Sequence, residues 1–263
     1  SLCKKYKIKY YYLYYKNKIN YFFTAIKILN KIKKNIIFSH IESVFLLLIY
    51  RLFNPSVKLL SFQHISLKIK KFKNHLLNFF EYIFFDKIIF LSKSYKKKIL
   101  QKYKYLNLQE KSVVIPTGLK PTKFISKKIN KRKIYVGMST RFVKGKKILN
   151  LIRLIKYNYD YEYLPLQMSI IGKGTDFKKI NAYIKKLKLK KYITLNTLQN
   201  EKDLDKWNSD LSIYLHFSEG ETLSTSVIRA LRAGTPLIVS NTSGLKEMIG
   251  TKKNCNGYLV NDK

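Results

Sequence analysis

The segment LSIYLHFSEGETLSTSVIRALRAGTPLIVSN, residues 211–241, alternates between the pattern of a strand and that of a helix. Apolar side chains run through 211–218 and again through 235–241, and apolar residues recur at helical spacing in the intervening 224–234. A strand, a helix and a second strand in this order favour two parallel strands joined by a crossover helix. The segment therefore predicts an α/β fold.

The same alternation extends towards the residues that precede this segment. Strands are predicted at 133–139, 166–172 and 192–196, and helices at 146–158, 176–189 and 201–209. This series predicts a Rossmann-like domain in which a parallel sheet has helices on both faces. Because such sheets bind ligands at the carboxyl ends of their strands, we expect the chemistry in the loops after residues 139, 172, 196, 218 and 241.

A second Rossmann-like domain is predicted in the first part of the chain. Helices are predicted at 21–34 and 44–53, an amphipathic stretch at 67–85, and strands at 36–40, near 57–64 and at 87–92. Two prolines and a glycine in VVIPTGLKPTKF and the Lys-rich run after it indicate a boundary. We therefore predict domains at 1–125 and 126–263, each an α/β unit with a parallel sheet.

The formal net charge of +38 is the strongest signal in the composition, and it keeps a basic nucleic-acid-binding protein open as an alternative. Only six of the 53 basic residues are Arg, however, and Arg is the residue that forms bidentate contacts with phosphate. Lysines are spread over most of the chain, whereas 210–250 holds only Arg229, Arg232 and Lys246 as cations. We therefore expect no specific nucleic acid, and we treat much of the charge as background.

Apolar runs and cysteines indicate the cellular compartment of the protein. The longest apolar run, which begins at Val44, is far shorter than the roughly 20 residues of a membrane-spanning helix, and no signal peptide is indicated. Cys3 and Cys255 belong to no CxxC motif, so neither a disulfide framework nor a zinc site is expected. We interpret the chain as cytoplasmic and as a piece of a longer protein that lacks both ends.

The loop after the strand at 133–139 has the features of an anion site. Gly137 permits close approach of a backbone, and Arg141 and Lys146 place two cations before a helix whose N-terminus also favours anions. The alternative is a solvated surface, which we favour for Lys144. A diphosphate clamp is the functional interpretation of this loop.

A glycine-rich loop, GKGT, follows the predicted strand at 166–172. Two glycines, Gly172 and Gly174, are a weak signal, because they also occur in tight turns that bind nothing. The sequence leaves both interpretations of this loop open.

The loop of the opening segment combines a helix start with carboxylates. Ser224 or Thr225 can cap the helix, and the free N–H groups of its first turn then face the predicted cleft beside Glu219 and Glu221. An anion cradle flanked by carboxylates is one interpretation. A capped core helix with solvated acids is the other.

Taken in order, these segments resemble the family 4 glycosyltransferases (glycosyl transferases group 1), whose GT-B fold places a nucleotide-sugar between two Rossmann-like domains. The segments that carry the resemblance are IIFSHIESVFLLLIYRL, LLSFQH, DKIIFLSKSYKKKIL, VVIPTGLKPTKF, GMSTRFVKGKKILNLI, MSIIGKGTDFKKI, SEGETLSTSVIRALRAGTPLIVSNTSGLKEMI and NGYLV. Together they cover almost the whole chain.

The resemblance implies roles for matching positions. Arg141 and Lys146 match the cations that hold the donor diphosphate, and Glu221 matches the first of two glutamates separated by seven residues, with Glu219 as the alternative. The second glutamate, which accepts hydrogen bonds from the ribose in the family, is replaced by Arg229, and Arg has no acceptor. Because of this replacement, an inactive glycosyltransferase-like scaffold stays open as an alternative. Arg229 could nevertheless donate hydrogen bonds to phosphate or ribose oxygens of the nucleotide-sugar.

Histidines and aspartates outside these motifs give weaker indications. His64 and His40 end predicted strands, and in the family such positions face the cleft. The resemblance therefore implies a catalytic role for His64, in addition to Glu221, with His40 as the weaker candidate. Asp203 and Asp205 mimic a metal-binding Asp-x-Asp motif, but they lie in a predicted helix N-terminus that favours acids. We therefore expect no metal and no cofactor.

The function implied by the resemblance is transfer of a sugar from a nucleoside diphosphate sugar to an acceptor hydroxyl, with retention, in glycan or polysaccharide synthesis. The partners expected are this nucleotide-sugar donor as co-substrate and a saccharide or lipid-linked saccharide acceptor. An anionic membrane surface is a further candidate partner, which would make the protein peripheral at the membrane.

Overall fold

The computed structural model describes residues 17–32, 35–39, 44–64, 72–120, 133–197, 200–250 and 255–261. The chain divides into two compact units. The first comprises 1–63, 71–89 and 102–113, and the second comprises 64–70, 90–101 and 114–263. The predicted boundary at residue 125 stays a prediction.

The first sheet is built from strands that alternate with helices. Its strand order is β1-β2-β3-β4, and β1 runs parallel to β2 with Ile36 opposite Lys58. Leu59, Phe85 and Ile88 are fully buried around it. The elements are α1 Lys18–Ile32, β1 Ile36–Ser39, α2 Val44–Phe53, β2 Lys58–Gln63, α3 Phe72–Phe84, β3 Lys87–Phe90, α4 Lys93–Lys102, a 3-10 turn Lys104–Leu106 and β4 Ser112–Val114.

The second sheet lies within the second unit and has six strands in the order β10-β9-β8-β5-β6-β7. Every neighbouring pair in it is parallel. Its elements are β5 Ile134–Ser139, α5 Ile148–Asp160, β6 Leu166–Ile171, α6 Phe177–Lys186, β7 Ile193–Asn196, α7 Glu201–Asp210, β8 Ile213–His216, α8 Thr225–Arg232, β9 Leu237–Ser240, α9 Ser243–Ile249 and β10 Gly257–Val260.

Helices cover both faces of this second sheet. Successive residues of a strand point to opposite faces, and on β8 Tyr214 packs into one apolar core while Leu215 packs into another. Buried side chains of α5 and α6 belong to the core of Leu215, whereas Val227 of α8 and Leu245 of α9 belong to the core of Tyr214. The predicted α/β fold with a parallel sheet between helices is confirmed.

The strand order places a crevice at the carboxyl ends of the central strands. The chain runs from β5 outward to β6 and β7, and then returns to place β8 on the other side of β5. The loops after β5 and β8 consequently leave the sheet in opposite directions, and parallel α/β sheets bind ligands at such a switch point. No helix within the described ranges has the length and apolar character needed to cross a membrane.

Candidate functional site

A cavity of about 710 Å³ opens where β5, β6, β7 and β8 end. Its lining comes from the ends of these strands, from the loops that follow them, from Leu204 of α7 and from the first turn of α8. The residues that line it are Ser139, Thr140, Arg141, Lys146, Ile171, Gly172, Lys173, Thr197, Leu204, His216, Glu221, Leu223, Ser224, Thr225 and Ser226.

Three cations line the cavity on the side of the loops after β5 and β6. Arg141 is exposed, and within the described part of the chain its guanidinium forms no hydrogen bond. Lys173 is also exposed, whereas Lys146 is only 15 % exposed and forms an ion pair with Glu221. Arg141 and Lys173 are thus available to an anionic ligand, and Lys146 already has a counter-charge.

Glu221 is a carboxylate that lines the cavity. Its Oε1 accepts from Lys146 Nζ and lies 3.1 Å from His216 Nε2. Burial raises the pKa of Glu221, but the hydrogen bond from His216 and the charge of Lys146 outweigh burial and hold this pKa at about 2. Glu221 is therefore ionised at neutral pH and acts only as an acceptor.

The first turn of α8 presents hydroxyls and backbone N–H groups to the cavity. Ser224 is the N-cap residue, yet its hydroxyl does not cap the helix and instead lies 3.0 Å from the Ser226 hydroxyl. Thr225 and Ser226, in the first helical turn, line the cavity. Because a helix N-terminus carries partial positive charge, this wall can also receive an anion.

The predicted glycines divide between the cavity and the packing around it. Gly172 lines the cavity, where a Cβ would lie 1.8 Å from the Thr140 carbonyl oxygen, so the chain passes too close for any side chain. Gly174 packs against the Phe142 backbone and does not line the cavity. The expectation for Gly137 is corrected: it lies within β5, and a Cβ there would be 2.6 Å from Trp207 and Leu211 side-chain atoms. Its role is packing.

Arg229 does not reach into the cavity as the sequence suggested. Its guanidinium donates to Asp205 at 2.9 Å and to Glu201 at 3.3 Å, and both acids lie on α7. Arg232, one turn further along α8, contacts the same Asp205 carboxylate. Because α7 offers carboxylates within reach, the side chain is held between the two helices, and this corrects the expected orientation.

Glu219 and His64, two further predicted site residues, do not line the cavity. Glu219 is exposed, with its backbone N–H donating to the Gly145 carbonyl at 2.9 Å, and it does not line the cavity. His64 is exposed and its carbonyl accepts from the Thr222 hydroxyl at 2.8 Å, one residue after Glu221. His40 lies outside the described residues.

Asp203 and Asp205 serve the structure of α7 and its neighbour. The Asp203 backbone N–H donates to the Asn200 side chain, which caps the helix, and Asp205 binds the two arginines of α8. Within the described ranges, no group of three or more His, Cys, Asp or Glu side chains could hold a metal ion. The expectation that no metal takes part stays a prediction.

Sequence reasoning missed several polar residues of the cavity. Ser139 ends β5, Thr140 follows it and Lys173 lies inside the GKGT loop, so the expectation that strand ends carry the site could have included them. Ser226 lies one residue beyond the predicted Ser224 and Thr225. His216 was not predicted as a site residue because it ends an apolar strand, where a buried histidine is usually structural.

Comparison with known proteins gives a consistent family. Residues 120–263, more than half of the chain, match the model of "Glycosyl transferases group 1". The chain is 25% identical over 193 residues to the UDP-N-acetylglucosamine–peptide N-acetylglucosaminyltransferase GtfA subunit of Streptococcus agalactiae, covering 70% of this chain and 36% of that protein. It is 26% identical over 175 residues to an uncharacterized glycosyltransferase of Haemophilus influenzae, covering 66% and 47%. The chain spans less than half the length of these curated relatives.

Solved structures share the fold. TarM of S. aureus, solved in complex with fondaparinux, α-GlcNAc-glycerol and UDP, has a TM-score of 0.76 at 19% identity, covering 92% of this chain and 49% of that one. Anabaena HepE in complex with UDP has a TM-score of 0.74 at 15% identity, covering 99% and 74%. At these identities the likeness concerns the fold, and the family assignment rests on the match to 120–263. The chain belongs to the glycosyl transferases group 1 family.

Proposed function

We propose that this chain is the donor-binding part of an enzyme that moves a sugar from a nucleoside diphosphate sugar to an acceptor hydroxyl. The observation that carries the proposal is the cavity at the strand ends, which is lined by Arg141, Lys146 and Lys173, by the first turn of α8 and by an ionised Glu221. A nucleoside diphosphate supplies the anion for the cations, and a sugar supplies hydroxyls for the carboxylate.

The donor chemistry assigns a role to each side of the cavity. As the bond between the anomeric carbon and the phosphate oxygen breaks, negative charge grows on the diphosphate, and Arg141, Lys146 and the α8 N-terminus stabilise it. The acceptor oxygen forms the new bond to the anomeric carbon, and its proton passes to the leaving phosphate. Glu221 accepts from sugar hydroxyls, and His64 is the second proposed catalytic residue. Retention of configuration without a metal or cofactor is part of this proposal.

Arg229 bears on the choice between an active enzyme and an inactive scaffold. Because its guanidinium is paired with Asp205, it offers the nucleotide neither the carboxylate that the family uses for ribose nor an unpaired cation. Binding then depends more on the diphosphate than on the ribose. Arg141, Lys146 and Glu221 remain in the cavity, and for this reason we favour an active enzyme.

The broader setting follows from the same resemblance. We propose that the complete protein has two Rossmann-like domains of the GT-B type and that UDP is the first nucleotide to test, because the S. agalactiae relative is named for a UDP-sugar. A saccharide or lipid-linked saccharide is the proposed acceptor. The excess of lysine suits a cytoplasmic protein that binds an anionic membrane surface peripherally.

Two measurements test the proposal: a thermal-shift screen of UDP, GDP and ADP, each beside its monophosphate, and a titration with single-stranded RNA at physiological salt. A ligand that binds only the folded state raises the melting temperature, so one diphosphate should raise it more than its monophosphate does. Arg141→Ala should abolish most of this shift while Lys144→Ala keeps it. Tight RNA binding with no response to any diphosphate would favour the basic nucleic-acid-binding protein instead. Release of free diphosphate from a matching sugar donor separates an active enzyme from an inactive scaffold.

A further inference from the structure

His216 ends strand β8 at the wall of the cavity and is 1 % exposed. Its Nε2 lies 3.1 Å from Glu221 Oε1, and its ring is nearly parallel to that of Tyr214, with 6.2 Å between ring centres. The Ser224 hydroxyl lies 3.5 Å from the same nitrogen. The packing therefore fixes both the position and the plane of this imidazole.

The protonation of His216 follows from its surroundings. Burial lowers the pKa of the imidazole, and the neighbouring Glu221 opposes this effect only in part, so the ring is neutral at neutral pH. An ionised carboxylate can only accept, and Nε2 must therefore carry the hydrogen that it donates to Glu221. Within the described residues Nδ1 has no hydrogen-bond partner, which agrees with this tautomer.

The two oxygens of Glu221 have different surroundings. Oε1 accepts hydrogen bonds from both Lys146 Nζ and His216 Nε2, whereas no group in the described part of the chain donates to Oε2. The side chain is 14 % exposed and lines the cavity. One oxygen is thus anchored to the protein, and the other is left for a ligand.

Lys146 and His216, the two groups that hold Glu221 Oε1, respond differently to a bound diphosphate. Lys146 sits on the loop before α5, lines the cavity and is paired with Glu221 in the absence of a ligand. If its ammonium turns to a bound diphosphate, its contact with Glu221 weakens. His216 carries no charge and belongs to a central strand, so its bond to Oε1 persists. Other charged or titratable groups around Glu221 are Tyr214 on β8 and the cavity-lining Arg141 and Lys173.

We propose that His216 is a positioning residue that holds Glu221 Oε1 through Nε2–H and so aims Oε2 at the sugar of a bound donor. The part of this inference that concerns the sugar rests on the proposed function. The part that concerns Glu221 does not, because it can be measured on the protein without any ligand.

Two substitutions at this position separate positioning from packing. His216→Leu keeps a buried side chain but removes the donor, whereas His216→Gln returns an amide N–H close to the place of Nε2. Loss of a hydrogen bond to a buried carboxylate disfavours its charged form, so the pKa of Glu221 should rise by about one unit or more in the Leu variant. The Gln variant should return most of this change.

The measurement is ¹³C NMR of the glutamate side-chain carboxyl carbons between pH 6 and pH 3, with the Glu221 signal assigned from Glu221→Gln. In the native chain Glu221 should stay ionised over this range, and in His216→Leu it should begin to titrate. Val239→Ala is the matched control, since Val239 is fully buried opposite His216 on β9 and its loss lowers stability without removing a donor. A Glu221 titration that is the same in His216→Leu as in the native chain would overturn the inference.

Enzyme kinetics with the nucleotide-sugar provide the second test. With the matching nucleotide-sugar, His216→Leu should raise the KM of the donor about tenfold while the Kd of the free nucleoside diphosphate changes less than about twofold, because the lost contact concerns the sugar. His216→Gln should restore the KM. Equal losses for the sugar donor and the free diphosphate would count against the positioning role. A native chain that binds no diphosphate contradicts the proposed function, and the NMR arm still decides the role of His216.

Discussion

Arg229 on α8 donates a hydrogen bond of 2.9 Å to Asp205 on α7, and Arg232 contacts the same carboxylate. Arg229 is 14 % exposed and Asp205 31 %, so water screens the pair only in part. We predict that Arg229→Glu lowers the free energy of unfolding by about 1–3 kcal/mol, because the pair is lost and two carboxylates then face each other.

Urea unfolding measures this loss, and Lys206→Glu is the control. Lys206 lies on the exposed side of α7 and, among the described residues, forms no ion pair, so the same reversal of charge should cost little there. Similar losses for both variants would mean that net charge, rather than the pair with Asp205, is responsible.

The loop after β5 should distinguish specific cations from background charge. Arg141→Ala and Lys146→Ala should each weaken binding of a nucleoside diphosphate by about 1–3 kcal/mol, the range for a charge-assisted hydrogen bond, while Lys144→Ala costs much less. Titration calorimetry on folded variants gives the three values. If all three variants weaken binding equally, the ligand responds only to bulk charge.

Substitution of the glycine in β5 should lower the free energy of unfolding more than substitution of a glycine in open space. A Cβ on Gly137 would lie 2.6 Å from side-chain atoms of both Trp207 and Leu211, whereas nothing lies within 4 Å of a Cβ on Gly118. We expect Gly137→Ala to lower the free energy of unfolding by about 1–3 kcal/mol through overpacking. Gly118→Ala should change it little, and a similar loss at Gly118 would contradict the packing argument.

Glu221 should make stability depend on pH. Its folded-state pKa of about 2 lies below the ordinary value of 4.5, so the unfolded chain binds the proton more tightly. The stabilisation that ionised Glu221 gives the folded chain is therefore complete above about pH 5 and is lost as pH falls from 4.5 towards 2. Glu221→Gln should cost most stability above pH 5, and the difference from the native chain should shrink at pH 3. Denaturant unfolding at both pH values checks this, and a constant difference would be the contrary result.

Much of the second sheet could be predicted because its helices and strands have strong periodicity. The predicted helices at 146–158 and 201–209 correspond to α5 and α7, and the predicted strand at 166–172 corresponds to β6. Elements with little apolar periodicity were not predicted. Helix α4 is rich in lysine and buries only Tyr95 and Ile99, while α9 has only seven residues. Short elements of this kind depend on packing against distant residues, which a local pattern does not contain.

Part of the lining of the candidate site could be predicted, namely where residue type alone indicates the chemistry. Arg141, Lys146, Glu221, Ser224 and Thr225 all line the cavity, because cations, a carboxylate and a helix start follow strand ends in the sequence. Orientation could not be predicted. The direction of Arg229 is set by carboxylates on another helix, and the role of His216 depends on a neighbour that a turn of the backbone brings to it.

The strand order of the second sheet also determines when the cavity can exist during folding. The Tyr135 backbone N–H donates to the Ser212 hydroxyl across 77 residues, where β5 meets β8. The loops that carry Arg141 and Glu221 face each other only after this distant pairing has formed, and contacts of such sequence separation form slowly because a long loop must first be closed. During synthesis, a nascent chain that ends before β8 has β5, β6 and β7 but only one wall of the cavity. Ligand binding should therefore emerge late and in a single step as the chain is extended.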